Sequence, residues 1–257
     1  MRLATLAWRG LTARRLRSTL TIIAVALGVA LVSGTLLANQ AASEAIQRSA
    51  EEILGKAELR VRAFEADGFD PRTVERLGKI GVLAAAPVAE RRLLVSDPIK
   101  TTFNLLVLGV DPDDEARVRT YDLEAGSFLS ANPKDAVVNA RWAADHGFGI
   151  GDELVLTGAK EGVPHLRIVG LLGELGVGAL QQGNVLLMNR DALNAAFDTP
   201  SPVAYVDLVL YPGSTEAVEA ALDSEMTEPF VVETVADAQL QLSRAQQGFA
   251  GIAFLFG

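Results

Sequence analysis

The chain has 257 residues, 49% of them hydrophobic, which is enough apolar surface for a sizeable core even after a membrane-length run is set aside. It has no cysteine, which excludes disulfides, thiolate nucleophiles and cysteine-based zinc or iron–sulfur sites. The net charge is −9, yet the first 17 residues hold five arginines and no acid, so the remainder is strongly acidic and ill suited to binding nucleic acid.

Those arginines, Arg2, Arg9, Arg14, Arg15 and Arg17, precede an uncharged run from Leu20 to Ala38. As a helix rising ~1.5 Å per residue the run reaches ~28 Å, close to the ~30 Å hydrocarbon core of a bilayer. The basic cluster favours a cytoplasmic N-terminus, which sends everything after Ala38 to the other side. The run exceeds the ~7–15 residues of a signal-peptide core, and no Ala-x-Ala site follows, so an uncleaved anchor is expected. The arginines set topology and meet anionic headgroups, or they line an interfacial helix from Leu3 to Leu16 with Trp8 at the interface. Ala24 and Gly28, then Ala30 and Gly34, sit four apart, a spacing that admits a second membrane helix, although small residues are also simply common there. Ala42, Ile46, Ala50 and Ile53 continue a helical pattern, so residues 39–56 read as a stalk.

Beyond the stalk, Glu58 to Phe64 alternates polar and apolar residues as a half-buried strand does. Asp70-Pro71 starts a helix carrying Val74 and Leu77, and a strand follows at Val88 to Val95. The same order recurs near the end: strand Ala204–Tyr211, a Pro-Gly-Ser turn, helix Thr215–Met226 and strand Phe230–Glu233. Two β-α-β units, residues 57–100 and 201–235, predict an α+β fold with a split, ferredoxin-like layer. Between them, residues 101–200 predict a mainly-β insertion. Its expected strands are Phe103–Val110, Ala136–Asn139, Glu153–Thr157, His165–Leu172 and Asn184–Met188, with short helices at Arg141–His146 and Asp191–Phe197. Gly173 to Gly183 reads as a flexible connection, and its Gly176, Gly178, Gln181 and Gln182 are candidates for touching a partner. Residues 236–257 read as a helix returning to the membrane and the start of a second, truncated membrane helix; the alternative is an apolar segment packed on the domain.

Motifs for chemistry are absent from the sequence. Gly55-Lys56 is followed by Ala57 where a Walker A loop needs Ser or Thr. Gly176-x-Gly178-x-x-Gln181 lacks the third glycine of a dinucleotide fingerprint. His146 and His165 are the only histidines, with no H-E-x-x-H, and a structural or surface role is expected for each. The cluster Asp111, Asp113, Asp114 and Glu115 lacks the glycine of a calcium loop; Asp113 is expected to cap a short helix. No catalytic residue, metal ligand or cofactor is assigned.

Six blocks in order carry a resemblance: WRGLTARRLRSTLTIIAVALGVALVSG (Trp8 to Gly34), LLVLGVDP (Leu105 to Pro112), LEAGSFL (Leu123 to Leu129), AVVNARWAADHGFGIGDELVL (Ala136 to Leu156), HLRIVGLL (His165 to Leu172) and NVLLMNRDAL (Asn184 to Leu193). Together they resemble the MacB/FtsX-type ABC transporter permeases, including the lipoprotein-releasing permeases. The resemblance implies a non-catalytic membrane subunit of the cell (inner) membrane, with its core domain inserted between membrane helices one and two, outside the cytoplasm. It implies a cytoplasmic ABC ATPase as partner, a second permease copy and the lipid bilayer. The implied role is to couple ATPase-driven motion to export or release of an envelope substrate. The rival expectation is an anchored extracytoplasmic scaffold that recruits an envelope enzyme.

Overall fold

The computed structural model describes residues 15–65, 68–97, 101–160, 165–197, 203–226, 228–234 and 237. The expected return helix and second membrane segment therefore lie outside the described residues, apart from Asp237, as do Arg2, Arg9 and Arg14. The chain divides into two units, Met1–Ile46 and Gln47–Gly257.

One helix, α1 (Arg15–Leu54), carries both the apolar run and the stalk without a break. Its span Thr19–Ala41 has mean hydropathy 2.4 and none of it is buried in the chain. Leu20, Leu27, Leu31 and Leu37 are all more than half exposed. A helix apolar all round whose described side chains are exposed is suited to lipid rather than water.

The second unit is built on one ten-stranded sheet. In chain order the elements are β1 (Leu59–Ala63), α2 (Pro71–Leu77), β2 (Val82–Ser96), β3 (Thr102–Val110), α3 (Pro112–Val118), β4 (Leu123–Gly126), β5 (Asp135–Asn139), α4 (Ala140–His146), β6 (Glu153–Leu156), β7 (Leu166–Leu172), a 3-10 turn (Gly176–Gly183), β8 (Val185–Asn189), α5 (Arg190–Ala196), β9 (Val203–Leu210), α6 (Thr215–Glu225) and β10 (Phe230–Thr234). The order β10-β1-β9-β2, antiparallel throughout, is the split ferredoxin-like layer expected from the sequence. Its helix-covered face buries Leu59, Val61, Leu77, Val206, Leu208, Val218 and Leu222.

β2 is longer than its sequence suggests and belongs to two structures. Val82 to Ala89 pairs with β9, and Ala89 to Ser96 pairs with β3. Val95 and Ser96 also pair with β6. Following the remaining pairs, β3 to β8, β8 to β5, β5 to β7 and β7 to β6, closes a six-stranded barrel. The insertion is thus continuous with the ferredoxin-like layer through one shared strand. Closure leaves no free edges among these strands.

The barrel strands read as unbroken apolar runs because both of their faces are covered. Leu105, Val107, Ala136, Val138, Leu186 and Met188 pack in one cluster; their neighbours Leu106, Leu108, Val137, Val185 and Leu187 pack in another. The period-two alternation survives, but as a choice between two cores instead of core and solvent. β4 is the strand the sequence reading lacked; it pairs with β7 at Leu123↔Leu172 and Gly126↔Gly170.

Leu186 is fully buried in the barrel cluster. Leu186→Ala is expected to lower unfolding free energy by ~2–5 kcal/mol, read from the urea midpoint at unchanged slope.

Candidate functional site

Among the described residues of the second unit, two places combine polar chemistry with a built geometry. One is a cleft, the other a buried ionic cluster.

The cleft follows from topology. β5 and β7 are parallel neighbours, paired from Asp135↔Arg167 to Asn139↔Leu172. After its carboxyl end β5 continues into α4, whose Trp142 and Ala143 join the first barrel cluster. After β7 the chain makes the 3-10 turn, whose Val177 joins the second cluster on the opposite face. Segments that leave adjacent parallel strands toward opposite faces open a crevice between them. Here it encloses about 500 Å³, lined by Asn139, Arg141, Asp145, Glu174, Gly178 and Gln182 among others.

Asn139 holds the crevice in shape. Its Oδ1 accepts from the Trp142 N–H at 2.8 Å, capping α4. Its Nδ2 donates to the carbonyls of Gly173 and Gly178 at 3.2 and 3.0 Å. A side chain on Gly178 would bring its Cβ to 2.0 Å from the Gly173 oxygen, so only glycine permits that approach. The segment expected to be a flexible connection therefore has a fixed shape: Gly176, Val177, Gly178 and Gly183 are buried. Gln181 and Gln182 have φ of 50° and 59°, two consecutive left-handed residues that are not glycine. Such a conformation costs on the order of 1–2 kcal/mol per residue and persists where surroundings impose it. Asn184 contributes, its Nδ2 donating to the Gln181 carbonyl at 2.9 Å. Both glutamines are exposed. Arg141 at the mouth lies 3.7 Å from Glu174 and 4.0 Å from Asp145, loose exposed pairs of the kind worth under ~1 kcal/mol. They leave the rim free to exchange partners.

The second place was not foreseen. On the face of the ferredoxin-like sheet away from α2 and α6, the Asp207 side chain is fully buried. Arg60 on β1 grips it with two bonds, Nε to Oδ1 at 2.6 Å and Nη2 to Oδ2 at 2.9 Å. Arg119, at the end of α3, donates from Nη2 to Oδ2 of the same carboxylate. Arg119 Nε also lies 2.7 Å from Glu115 Oε2, which accepts from the Tyr121 hydroxyl at 2.9 Å. The Arg60 guanidinium stacks 4.0 Å from the centre of the buried Tyr205 ring. Two cations and two carboxylates alternate along this chain. Burial alone pushes the Asp207 carboxyl up, but Arg119 and Arg60 outweigh it and hold it below its ordinary value. Burial raises the Glu115 carboxyl, and its single close guanidinium only partly offsets that.

The other candidates take structural places. Asp111, not Asp113, caps α3: its Oδ1 accepts from the N–H groups of Asp113 and Asp114 at 2.9 and 3.2 Å. Pro112 occupies the first helical turn, which fixes the cap one step earlier than the acidic run suggests. His146 stacks on Trp142 at 4.9 Å with Nδ1 2.7 Å from the Trp142 carbonyl, while His165 is exposed beside Glu153. Among the described residues no three His, Asp or Glu side chains converge as a metal set. In α1, Gly28 and Gly34 have open space where a side chain would stand. At ~100° per residue the pairs Ala24/Gly28 and Ala30/Gly34 lie on faces about 120° apart, not on one stripe. Arg15 and Arg17 begin α1.

Removing one partner of a buried ion pair strands the other, so Asp207→Asn is expected to cost ~3–5 kcal/mol in a urea titration at neutral pH. The Asp207 carboxylate stabilises the fold above the ordinary carboxylate pKa, and this contribution fades as pH falls through its lowered native value. Glu115 has the opposite sign. Its native form holds the proton more tightly, so its contribution declines as pH rises from the ordinary value of ~4.3 through the raised one. The stability of the natural protein relative to Glu115→Gln should therefore decrease between pH 4 and pH 7; a constant difference would show that Glu115 is not perturbed.

Matched against curated proteins, the sequence has no counterpart. The fold is similar to the extracellular domain of the noncanonic ABC-type transporter YknZ from Gram-positive bacteria, with TM-score 0.52 and 12% identity over 68% of this chain and 99% of that one. It is also similar to the periplasmic region of MacB from Actinobacillus actinomycetemcomitans, with TM-score 0.52 and 9% identity over 75% of this chain and 95% of that one. The MacB-like periplasmic core domain family matches residues 18–225. The chain belongs to that family, found in the MacB/FtsX-type ABC transporter permeases, and carries one N-terminal helix long and apolar enough to cross a membrane.

Proposed function

We propose that the chain is the N-terminal part of a permease subunit whose outer domain turns the work of a cytoplasmic ABC ATPase into export or release of an envelope substrate. The observation that carries this reading is the continuity of α1. A single 40-residue helix contains the membrane span and continues to Leu54, with four residues between it and the start of β1 at Leu59. A hydrogen-bonded helix transmits axial and rotational displacement along its length, whereas a linker would absorb it. Arg2, Arg9, Arg14, Arg15 and Arg17 keep the N-terminus on the ATPase side. Ala24 with Gly28, and Ala30 with Gly34, offer two faces for other membrane helices, including those of a second permease copy. The rim of the cleft, which Gln182 lines with Gln181 exposed beside it and with Gly176 and Gly178 buried behind them, is where the domain touches its substrate or envelope partner. The supports are its constrained turn and its loosely paired charges.

In the full-length permease reconstituted with its ATPase, Glu44→Pro interrupts the helix beyond the span, at a cost of ~3 kcal/mol in helix terms, whereas Glu44→Ala preserves it. ATP turnover in Glu44→Pro is expected to lose its response to substrate while the Ala variant keeps it. Equal behaviour of the two would contradict transmission through α1.

A further inference from the structure

We infer that the end of α3, at Val118 and Arg119, is the joint at which the stalk is fastened to both halves of the outer domain, with Arg119 as the positioning residue. This rests on the permease reading for its purpose, though not for its geometry.

The chain leaving α1 is seated by backbone contacts. Gly55 adopts φ +64°, and a Cβ there would lie 2.4 Å from Arg119 Cβ and 2.6 Å from the Val118 carbonyl. Lys56 donates its N–H to that same carbonyl at 2.7 Å. Ala57 is buried in a small cluster with Val118 and Ala86. Glu58 then donates its N–H to the Leu208 carbonyl at 3.1 Å and accepts from the Leu210 N–H at 2.9 Å, which fixes it to β9. Four successive residues are thus tied first to α3 and then to the ferredoxin-like sheet.

Arg119 makes that seat rigid and connects it in two directions. Its guanidinium bonds Asp207 on β9, whose other partner is Arg60 on β1. Its Nε faces Glu115 one turn back in α3, and its own N–H donates to the Glu115 carbonyl at 2.8 Å. α3 begins at Pro112, directly after β3 of the barrel. A displacement delivered at Gly55–Lys56 therefore reaches the ferredoxin-like sheet through Asp207 and the barrel through α3. Charged pairs taken out of water interact strongly and over fixed geometry, so they resist being pulled apart. A covering helix that only packed against the sheet would need no arginine at this position.

The test is amide hydrogen exchange on the whole chain in lipid nanodiscs, with no ATPase present. Arg119→Met removes the charge but keeps side-chain bulk; Gly55→Ala disturbs the same seat from the stalk side. Trp142→Ala, in the barrel cluster, serves as a control of comparable global destabilisation. The joint predicts that Arg119→Met and Gly55→Ala each speed exchange at the Lys56 and Glu58 amides at least tenfold beyond the control. Gly55→Ala should also speed exchange at the Arg119 amide. Exchange at these amides that follows only the global loss of stability, as in Trp142→Ala, overturns the joint. Should Arg119→Met fail to fold, Gly55→Ala supplies the same readout. A negative result here leaves the permease reading standing, and an ATPase indifferent to the stalk leaves the joint standing.

Discussion

The organising constraint of the outer domain is a carboxylate that cannot reach water. Asp207 sits in the middle of a central strand, and among the described residues its charge is sustained by Arg60 and Arg119. Each arginine comes from a different part of the chain, one from the strand that follows the stalk and one from the helix that leaves the barrel. The cluster is weak as a source of net stability, because desolvating four charges offsets much of their attraction. Its effect is to tie α3 to the sheet, because Arg119 at the helix end meets Asp207 on β9.

The second constraint is economy of strands. β2 serves the ferredoxin-like layer with its first half and the barrel with its second, so the two share one backbone. Pro87 lies near the handover, at Pro87↔Val206, where a missing N–H is tolerated because the strand is changing partners. The barrel then ends in a crevice because adjacent parallel strands send their continuations to opposite faces. Asn139 closes that arrangement with three hydrogen bonds from one side chain.

Much of this was legible in the sequence, for physical reasons that differ by element. Period-two alternation at Leu59, Val61 and Ala63, and Asp70-Pro71 at a helix start, are local signals, and the structure has a strand and a capped helix there. LLVLGV reads as part of a strand, and the structure has one there with all six of these residues buried. The first half of β2 was hidden because VLAAAP is rich in residues that disfavour strands; its pairing with β9 overrides that preference. β4 is four residues at an edge, too short for any period. The ionic cluster was invisible for a subtler reason. Alternation places Arg60 and Asp207 on the face opposite the hydrophobic residues, which normally means solvent, and only the tertiary position of α3 turns that face inward. The Gly-rich turn read as mobile because its shape is imposed by Asn139, distant in sequence. Gly176, Gly178, Gln181 and Gln182 were singled out in that Gly-rich stretch, and of these Gly178 and Gln182 line the cleft while Gly176 and Gln181 do not.

The central claim is that α1 is a retained anchor and that the acidic domain lies outside the cytoplasm. The natural absence of cysteine allows one direct measurement. A single Gln182→Cys, at an exposed position, can be probed in intact cells with a membrane-impermeant thiol reagent small enough to cross any outer membrane. The account predicts labelling in intact cells equal to that in lysed ones. Labelling only after lysis would put the domain in the cytoplasm and contradict it.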